Sequence, residues 1–202
     1  TVTADPAAVA GTDATLLLVA TPSRRDGSFS LRELLAAIRD IGPALRAKRG
    51  YHLVCVCSTI NPGDHEHILV PALERATGRV RGRDLGICYN PEFLALGDML
   101  RGFRRPDFVL IGEGDAKAGR LLAGLHRRLA GRVPLVRTTL LNAEIGKLAV
   151  NAFLGLKVSF ANMLACLCHG LPGGRVDEVT RVLGHDPRIG HRFLRGGLAF
   201  GG

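Results

Sequence analysis

Short apolar runs alternate with helical patterns over the first two thirds of the chain. Residues 15–20 form a continuous apolar run after Thr15, which is typical of a parallel strand covered on both faces. Residues 31–48 then carry apolar side chains at helical spacing, and Ser30 with Glu33 suggests a capping box. The alternation continues with predicted strands at 52–57, 85–89, 108–112 and 134–137 and predicted helices at 65–77 and 116–129. This order predicts an α/β fold with a parallel sheet and right-handed crossovers.

The pattern changes beyond Thr138, where no further strand is predicted. From Asn142 onward, apolar residues recur every three or four positions and predict one long helix over 142–168. A second helix is predicted over 176–183, directly before Gly184. The chain is therefore expected to divide into an α/β part, residues 1–138, and a helical part, residues 139–202.

The composition narrows the classes of partner. Hydrophobic residues make up 47% of the 202 residues, which excludes a disordered polar chain. The formal net charge of +9 would suit a nucleic acid, an anionic membrane surface or a phosphorylated substrate. The arginines, however, lie in short clusters, aromatic residues are only 5% and Trp is absent. Since base stacking needs aromatic side chains, a nucleic-acid-binding domain is the weaker alternative, and no nucleic-acid partner is expected.

Cysteine and histidine usage points away from disulfides and metals. Five cysteines occur without a Cys-x-x-Cys pair, and each is interpreted as a small buried side chain in a reducing, cytoplasmic setting. The seven histidines show no metal-ligand spacing, so no metal is expected. No apolar run approaches the ~20 residues of a membrane span, and no membrane partner is expected.

Glu92 lies on a proline-stiffened turn directly after the predicted strand 85–89. Pro91 fixes its own φ and favours an extended conformation of Asn90. The residues that follow, Phe93 and Leu94, are apolar. Because ligand sites in open α/β sheets collect at the carboxyl ends of strands, Glu92 is the first candidate for chemistry.

Glu144, Lys147 and Asn151 share one face of the predicted long helix, since they are three and four residues apart. On spacing alone, a solvated polar stripe opposite a core face is the favoured interpretation. The functional alternative is that Lys147 supplies charge, and Asn151 a directed donor, to a developing oxyanion.

The remaining candidates are weak when taken singly. Thr21-Pro22 and Ser58-Thr59 end the first two predicted strands, either as ordinary turns or as hydroxyls that orient a water or contact a cofactor. Arg188 could bind a phosphate or sugar hydroxyls through its fork of donors, or be an exposed arginine beside a flexible connection. No Gly-x-Gly-x-x-Gly fingerprint is present.

In their order along the chain, these motifs resemble the nucleotide-sugar 6-dehydrogenases, the family of UDP-glucose and GDP-mannose dehydrogenases. The segments concerned are Val19-Ala20-Thr21-Pro22-Ser23, Ser58-Thr59 with Pro62-Gly63, Asn90-Pro91-Glu92-Phe93-Leu94, and residues 143–153, 159–162, 186–190 and 200–202. The resemblance covers essentially the whole chain. It implies the second half of a Rossmann-like NAD-binding domain, followed by an all-α central dimerisation domain built on one long helix.

The resemblance also implies a reaction, with NAD as the cofactor. A sugar C6 alcohol would be oxidised by four electrons to a carboxylate, through a thiohemiacetal and a thioester on a cysteine, with UDP-glucose to UDP-glucuronate as the default and polysaccharide precursors as the product class. Lys147 and Asn151 would steady the oxyanions, Glu92 would be the general acid/base, and Thr59 would hold the attacking water. Thr21, Pro22 and Thr59 would lie against NAD.

Substrate contacts follow from the same motif matches. The residues implied are Glu92, Phe93, Leu94, Lys147, Asn151, Arg188, Phe193, Phe200 and Gly201. Arg188 would reach the substrate from the neighbouring subunit of a homodimer, or a higher homo-oligomer, built on helix 142–168.

The chain also departs from the family pattern. The family's dinucleotide glycine motif would precede Thr1, and its catalytic cysteine and carboxyl-terminal nucleotide-binding domain would follow Gly202. None of the five cysteines stands at the nucleophile position, so the 202-residue chain alone is expected not to complete the reaction. The alternative is a non-catalytic dimerising remnant of the family that binds a nucleotide-sugar or a partner. The identity of the sugar and the choice between NAD and NADP stay open.

Overall fold

The structure, a computed structural model, describes residues 2–93 and 105–198. Over these residues, five strands form one sheet in the order in which they occur along the chain. The strands are β1 (Ala14–Leu17), β2 (His52–Val56), β3 (Leu85–Tyr89), β4 (Val109–Glu113) and β5 (Leu135–Thr139). The helices are α1 (Arg32–Ala47), α2 (Val70–Thr77), α3 (Ala116–Ala130), α4 (Leu140–His169) and α5 (Val176–His185), with a 3-10 turn at Pro6–Gly11 and a π-helical turn at His65–Leu69. The predicted α/β fold is confirmed.

The direction of β4 differs from the parallel sheet that the sequence predicts. The pairs β1–β2, β2–β3 and β4–β5 are parallel, but β4 runs antiparallel to β3 through Cys88–Glu113 and Tyr89–Gly112. A parallel neighbour requires the chain to cross back to the other end of the sheet, whereas an antiparallel neighbour can start where the previous strand ended. Apolar runs indicate where strands lie but not their direction, so the sheet is mixed rather than parallel.

Helix α1 begins without the predicted capping box. Leu31 is the N-cap residue and makes no side-chain cap hydrogen bond, and the Ser30 hydroxyl accepts only a long bond of 3.4 Å from the Arg32 N–H. The Glu33 carboxylate instead accepts a 2.8 Å hydrogen bond from the Arg32 side chain. The Ser30–Glu33 capping prediction is therefore wrong, because the glutamate is held by its neighbour on the helix.

Strand β2 lies between two cores, one on each face of the sheet. All five of its residues are buried. Val54 packs in one core with Leu34 and Ile38 of α1, whereas Cys55 packs in the other with Leu122 of α3. This burial on both faces explains why the run is apolar throughout.

The chain divides into two compact units inside α4, after Lys147. The first unit contains the sheet and the first turns of α4, where Leu140 and Ala143 are buried. Gly112 of β4 makes this packing possible, since a Cβ at that position would lie only 2.8 Å from the Cβ of Ala143. The second unit contains the rest of α4 and α5. The sequence pattern placed its boundary near Thr138, at the end of the strand signals.

Helix α4 is 30 residues long, and by length and composition alone it could cross a membrane. The prediction that no segment approaches such a span is therefore not supported by this helix. That prediction counted uninterrupted apolar residues, whereas α4 carries single polar residues such as Asn151 and Lys157 between apolar ones. Exposed apolar helix faces also pack against a second protein surface.

Candidate active site

The carboxyl ends of β1 and β2 are tied together by hydroxyl groups. The Thr21 hydroxyl donates a 2.6 Å hydrogen bond to the carbonyl of Thr59. The Ser58 hydroxyl donates to the Val19 carbonyl at 2.6 Å and accepts from the Val19 N–H at 3.0 Å. Thr21 and Thr59, predicted separately from two strand ends, therefore share one edge of the sheet.

The turn after β3 is fixed by Asn90. Its amide donates a 2.8 Å hydrogen bond to the Leu110 carbonyl of β4, and its amide oxygen lies 2.7 Å from Nε2 of His126 on α3. Pro91 is buried, whereas Glu92 is exposed. The structure thus presents the Glu92 carboxylate on a braced turn, as the sequence predicts for a reactive group at a strand end.

Lys147 reaches this turn from the end of the first unit. Its side chain is largely buried, at 8% exposure. The ammonium donates a 2.5 Å hydrogen bond to the Glu92 carbonyl and lies 4.7 Å from the centre of the Phe93 ring. Burial lowers the pKa of Lys147, and the nearby charge of Glu92 opposes that shift. The geometry places a partly desolvated cation beside the candidate acid/base.

Glu144 and Lys147 do not form the solvated polar stripe that spacing alone favours. Glu144 is 1% exposed and Lys147 is 8% exposed, whereas Ile145 on the same helix is 47% exposed. The expectation of a solvated stripe is wrong because β-strand ends and loops of the first unit supply partners for these two polar groups. The burial of Lys147 favours the functional alternative, in which this side chain supplies charge to a developing oxyanion.

Two further predicted polar groups keep free hydrogen-bonding capacity. The Thr59 hydroxyl and the Asn151 amide are both half-buried, and neither makes a hydrogen bond within residues 2–93 and 105–198. Asn151 lies one helical turn beyond Lys147 along α4, at the start of the second unit. Both side chains are therefore available to a water or a ligand.

Arg188 and Phe193 lie in the second unit, after α5. The Arg188 guanidinium pairs with Asp186 through contacts of 2.6 to 3.2 Å, and its side chain is 87% exposed. Phe193 adopts a left-handed backbone conformation, with φ of 63°, and is 42% exposed. In this structure the Arg188 guanidinium donates to the Asp186 carboxylate. The sequence predicts that the same donors bind a phosphate or sugar hydroxyls. The predicted contacts at Leu94, Phe200 and Gly201 lie outside the described residues.

The second unit also holds its irregular segment against α4. The Lys157 ammonium donates a 2.9 Å hydrogen bond to the Ile189 carbonyl, next to Arg188. The Asn162 amide both donates to the Gly197 carbonyl, at 2.8 Å, and accepts from the Gly197 N–H, at 2.7 Å. Asn162 belongs to one of the sequence motifs, but neither contact is predicted from the sequence, because each joins residues more than 30 positions apart.

The thiols lie in two groups. Cys55, Cys57 and Cys88 are buried in the sheet, as predicted, and burial raises the pKa of Cys88 to about 12. Cys166 is exposed and Cys168 is half-buried, so the prediction that every cysteine is buried is wrong for these two. Both lie near the end of α4. Within the described ranges, no cluster of three or more His, Cys, Asp or Glu side chains is placed to hold a metal ion.

Comparison with known protein families identifies the family of this chain. Residues 1–130 match the NAD-binding domain of the UDP-glucose/GDP-mannose dehydrogenase family, and residues 141–202 match the central domain of the same family. The chain belongs to this family. The predicted family and its cofactor, NAD, are both confirmed by these matches.

Curated proteins that are similar to this chain belong to the same family. The chain is 39% identical to the UDP-glucose 6-dehydrogenase AglM of Haloferax volcanii over 99% of the chain and 47% of that protein. It is 35% identical to the GDP-mannose 6-dehydrogenase of Azotobacter vinelandii over 96% of the chain and 44% of that protein. The chain therefore spans about half the length of the relatives it matches.

Solved structures share the fold. A UDP-glucose dehydrogenase from Pyrobaculum islandicum superposes with a TM-score of 0.89 at 39% identity, over 98% of this chain and 45% of that one. A ternary complex of the GDP-mannose dehydrogenase from Pseudomonas aeruginosa gives a TM-score of 0.85 at 33% identity, over 100% of this chain and 46% of that one. The Rossmann-like fold class is confirmed by these neighbours.

Proposed function

We propose that the full-length protein is a nucleotide-sugar 6-dehydrogenase that oxidises UDP-glucose to UDP-glucuronate with NAD, for use as a polysaccharide precursor. The observation that carries the proposal is the buried Lys147 ammonium, held 2.5 Å from the Glu92 carbonyl at a strand end of the NAD-binding domain. A cation withdrawn from water stabilises a developing oxyanion more strongly than an exposed one does.

The strand ends of the first unit fit a bound dinucleotide. Thr21 and Thr59 lie at the carboxyl ends of two adjacent parallel strands, where α/β folds bind such ligands. Thr21, Pro22 and Thr59 would therefore contact NAD, which accepts a hydride from the sugar C6 in each oxidation step. The free hydroxyl of Thr59 is suited to orienting a water.

Each polar residue receives a role in this proposal. Lys147 and Asn151 stabilise the oxyanions formed at C6, and Glu92 moves protons as the general acid/base. The first hydride loss gives an aldehyde, and a cysteine thiol adds to it to form a thiohemiacetal. A second hydride loss gives a thioester, and water held by Thr59 then releases the acid and the thiol. Arg188 is proposed to contact the substrate, together with Phe93, Leu94, Phe193, Phe200 and Gly201.

The full-length protein is expected to form two NADH for each UDP-glucuronate, measured by absorbance and by chromatography of the acid, with UDP-glucose preferred to GDP-mannose. The 202-residue chain is expected to form no acid under the same conditions. Acid formation by this chain would contradict the need for a further cysteine. Nucleotide-sugar binding without turnover in the full-length protein would instead support the non-catalytic alternative.

The apolar face of α4 supports a second proposal, that two copies of the chain pack through this helix. The exposed side chains are spaced three and four residues apart, as at the contact positions of packed helices. They are Phe153, Leu156, Phe160, Met163 and Leu167, each between 42% and 62% exposed. A second copy offers the same stripe, so a symmetric pair would cover both faces. No membrane and no nucleic acid is needed in this arrangement.

A charge on that stripe tests the pairing. Phe160→Glu is expected to weaken self-association at least tenfold, because an apolar side chain contributes about 1.5–3 kcal/mol when buried. Sedimentation equilibrium of the chain would show a dimer that becomes a monomer in the variant. Leu129→Glu, on the exposed part of α3, is the matched control and should leave the dimer unchanged. A monomeric unsubstituted chain, or a monomer produced equally by Leu129→Glu, would contradict the proposal.

A further inference from the structure

Glu144 is a buried carboxylate that the proposed chemistry does not use. It is 1% exposed, and its partner His65 is fully buried. One carboxylate oxygen, Oε2, accepts a 2.6 Å hydrogen bond from the Gly63 N–H. The other, Oε1, accepts from the His65 N–H at 3.0 Å and lies 2.7 Å from Nδ1 of the His65 ring. Three donors from one short loop therefore converge on one side chain of α4.

These bonds keep the carboxylate ionised. Burial alone would raise the pKa of Glu144, but the His65 ring, the Gly63 N–H and the His65 N–H together hold it below its usual range. A carboxylate that is 1% exposed, with both oxygens engaged, is not placed to contact a substrate directly. Any effect of Glu144 on a reaction must therefore act through other residues.

The loop that Glu144 holds begins at the end of β2 and carries Thr59. On its other side, Ser58 bonds to Val19 and Thr59 accepts from Thr21. Within the loop, the Asp64 carboxylate accepts hydrogen bonds of 2.8 Å from the Asn61 N–H and from the Asn61 amide. The loop is thus hydrogen-bonded to the segment after β1 at one end and to α4 at the other.

Lys147 follows Glu144 by three residues on the same helix. Its ammonium is held by the Glu92 carbonyl, at the end of β3. The first turns of α4 therefore make two fixed connections to the edge of the sheet, one to the loop of Thr59 and one to the turn of Glu92. The Glu144 connection has three hydrogen bonds, whereas the Lys147 connection has one to the backbone.

We infer that Glu144 is a positioning residue, which with His65 fixes the helix carrying Lys147 against the loop carrying Thr59. This inference rests on the proposed function, since it assigns the oxyanion cation and the water-holding hydroxyl to those two residues. The alignment matters because a displacement of about 1 Å in a catalytic group can lower the rate about 100-fold. The alignment depends on the carboxylate group of Glu144 and not on the size of the side chain. Only a group with two acceptor oxygens can accept hydrogen bonds from all three donors.

The test is a double-mutant cycle in the full-length protein. Glu144→Gln keeps the size but turns one acceptor into a donor that faces N–H groups. It is expected to lower kcat about 10- to 100-fold, with KM for the nucleotide-sugar within about threefold. If Glu144 acts through Lys147, then Glu144→Gln adds little further loss to Lys147→Met, since groups that act as a unit are not additive.

Two controls separate positioning from plain stability. Glu113→Gln removes another partly buried carboxylate of the first unit, one that pairs with Arg137, and its effect should add in full to that of Lys147→Met. His65→Phe keeps a ring against Tyr89 while removing one of the three donors, and should give a smaller loss that is also non-additive. Should Glu144→Gln fail to fold, the His65→Phe cycle supplies the decisive measurement.

The outcomes are distinguishable. Full additivity of Glu144→Gln, or of His65→Phe where the first variant does not fold, would overturn the positioning role while Lys147→Met still lowers kcat. Unchanged kcat in Lys147→Met, or absence of acid formation in the unsubstituted protein, would overturn the proposed function, and the positioning role with it. Non-additivity with unchanged KM supports both.

Discussion

Replacing Lys147 with Met in the full-length protein is expected to lower kcat for acid formation about 100- to 1,000-fold, with a much smaller change in KM. Removing one preorganised donor from an oxyanion site typically has an effect of this size. Lys147 meets the physical conditions for such a donor, since its side chain is 8% exposed and its ammonium is directed at the strand end that carries Glu92. The rate of NADH formation at saturating NAD measures the loss.

The control variants separate charge from geometry. Lys117→Met removes an exposed ammonium that lies 3.7 Å from the centre of the Tyr51 ring, and should leave kcat unchanged. Lys147→Arg keeps the charge but cannot place its wider guanidinium in the same contact, so only a small part of the rate should return. Retention of kcat by Lys147→Met to within about threefold would contradict the assigned role.

The pH dependence offers an independent check on Lys147. Because burial lowers the pKa of this side chain, its ammonium loses the proton at a lower pH than a free lysine does. Activity that needs the charged form should therefore be complete on the acid side of that pKa and fall as pH rises through it. The residual activity of Lys147→Arg should lack this alkaline decrease, since arginine keeps its charge throughout.

The sequence predicted the strand ends well because their signals are local. An apolar run followed by Thr21-Pro22, Ser58-Thr59 or Asn90-Pro91-Glu92 marks both the strand and the polar group at its end. The structure brings Thr21 and Thr59 together because β1 and β2 are parallel neighbours, a relation that strand–helix alternation already implies.

The remaining parts of the site depend on contacts distant in sequence. Glu144 and His65 are 79 residues apart, and nothing near either residue indicates the pair. The burial of Glu144 and Lys147 could not be predicted from helical spacing, because periodicity shows which residues share a face and not which face is covered. On α4 the polar side chains of Glu144 and Lys147 are buried, whereas apolar side chains such as Phe153 are exposed, which reverses the usual assignment at these positions. A helix that belongs to two compact units meets different surroundings along its length.

A single buried arginine joins the end of α1 to the segment before β3, and its sequence surroundings do not indicate this role. Arg79 is 6% exposed, and its guanidinium donates to four backbone carbonyls. Nε bonds to Leu45 at 2.6 Å, one terminal nitrogen bonds to Gly50 at 2.6 Å and Asp84 at 2.8 Å, and the other bonds to Lys48. Three of these carbonyls belong to the end of α1 and the turn after it, where a helix leaves acceptors unpaired.

Arg79→Met is expected to lower the free energy of unfolding of the first unit by about 3–5 kcal/mol, because one buried and three part-buried carbonyls lose their donor at once. Urea unfolding of the chain, followed by tyrosine fluorescence, measures this unit alone, since both tyrosines, Tyr51 and Tyr89, lie in it. Arg46→Met is the matched control. That side chain is exposed and donates to the Arg75 and Ala76 carbonyls through one nitrogen, so its loss should cost about 1 kcal/mol or less.

A lysine at position 79 tells charge from geometry in the same experiment. Its ammonium has three donors on a flexible stem, whereas the guanidinium offers a rigid planar fork with five. Arg79→Lys should therefore recover only part of the stability that Arg79→Met loses. Equal stability of the lysine and arginine forms would show that a buried positive charge alone is sufficient here. A loss in Arg79→Met no larger than in Arg46→Met would show that the four carbonyls find other donors, and that the end of α1 does not depend on this side chain.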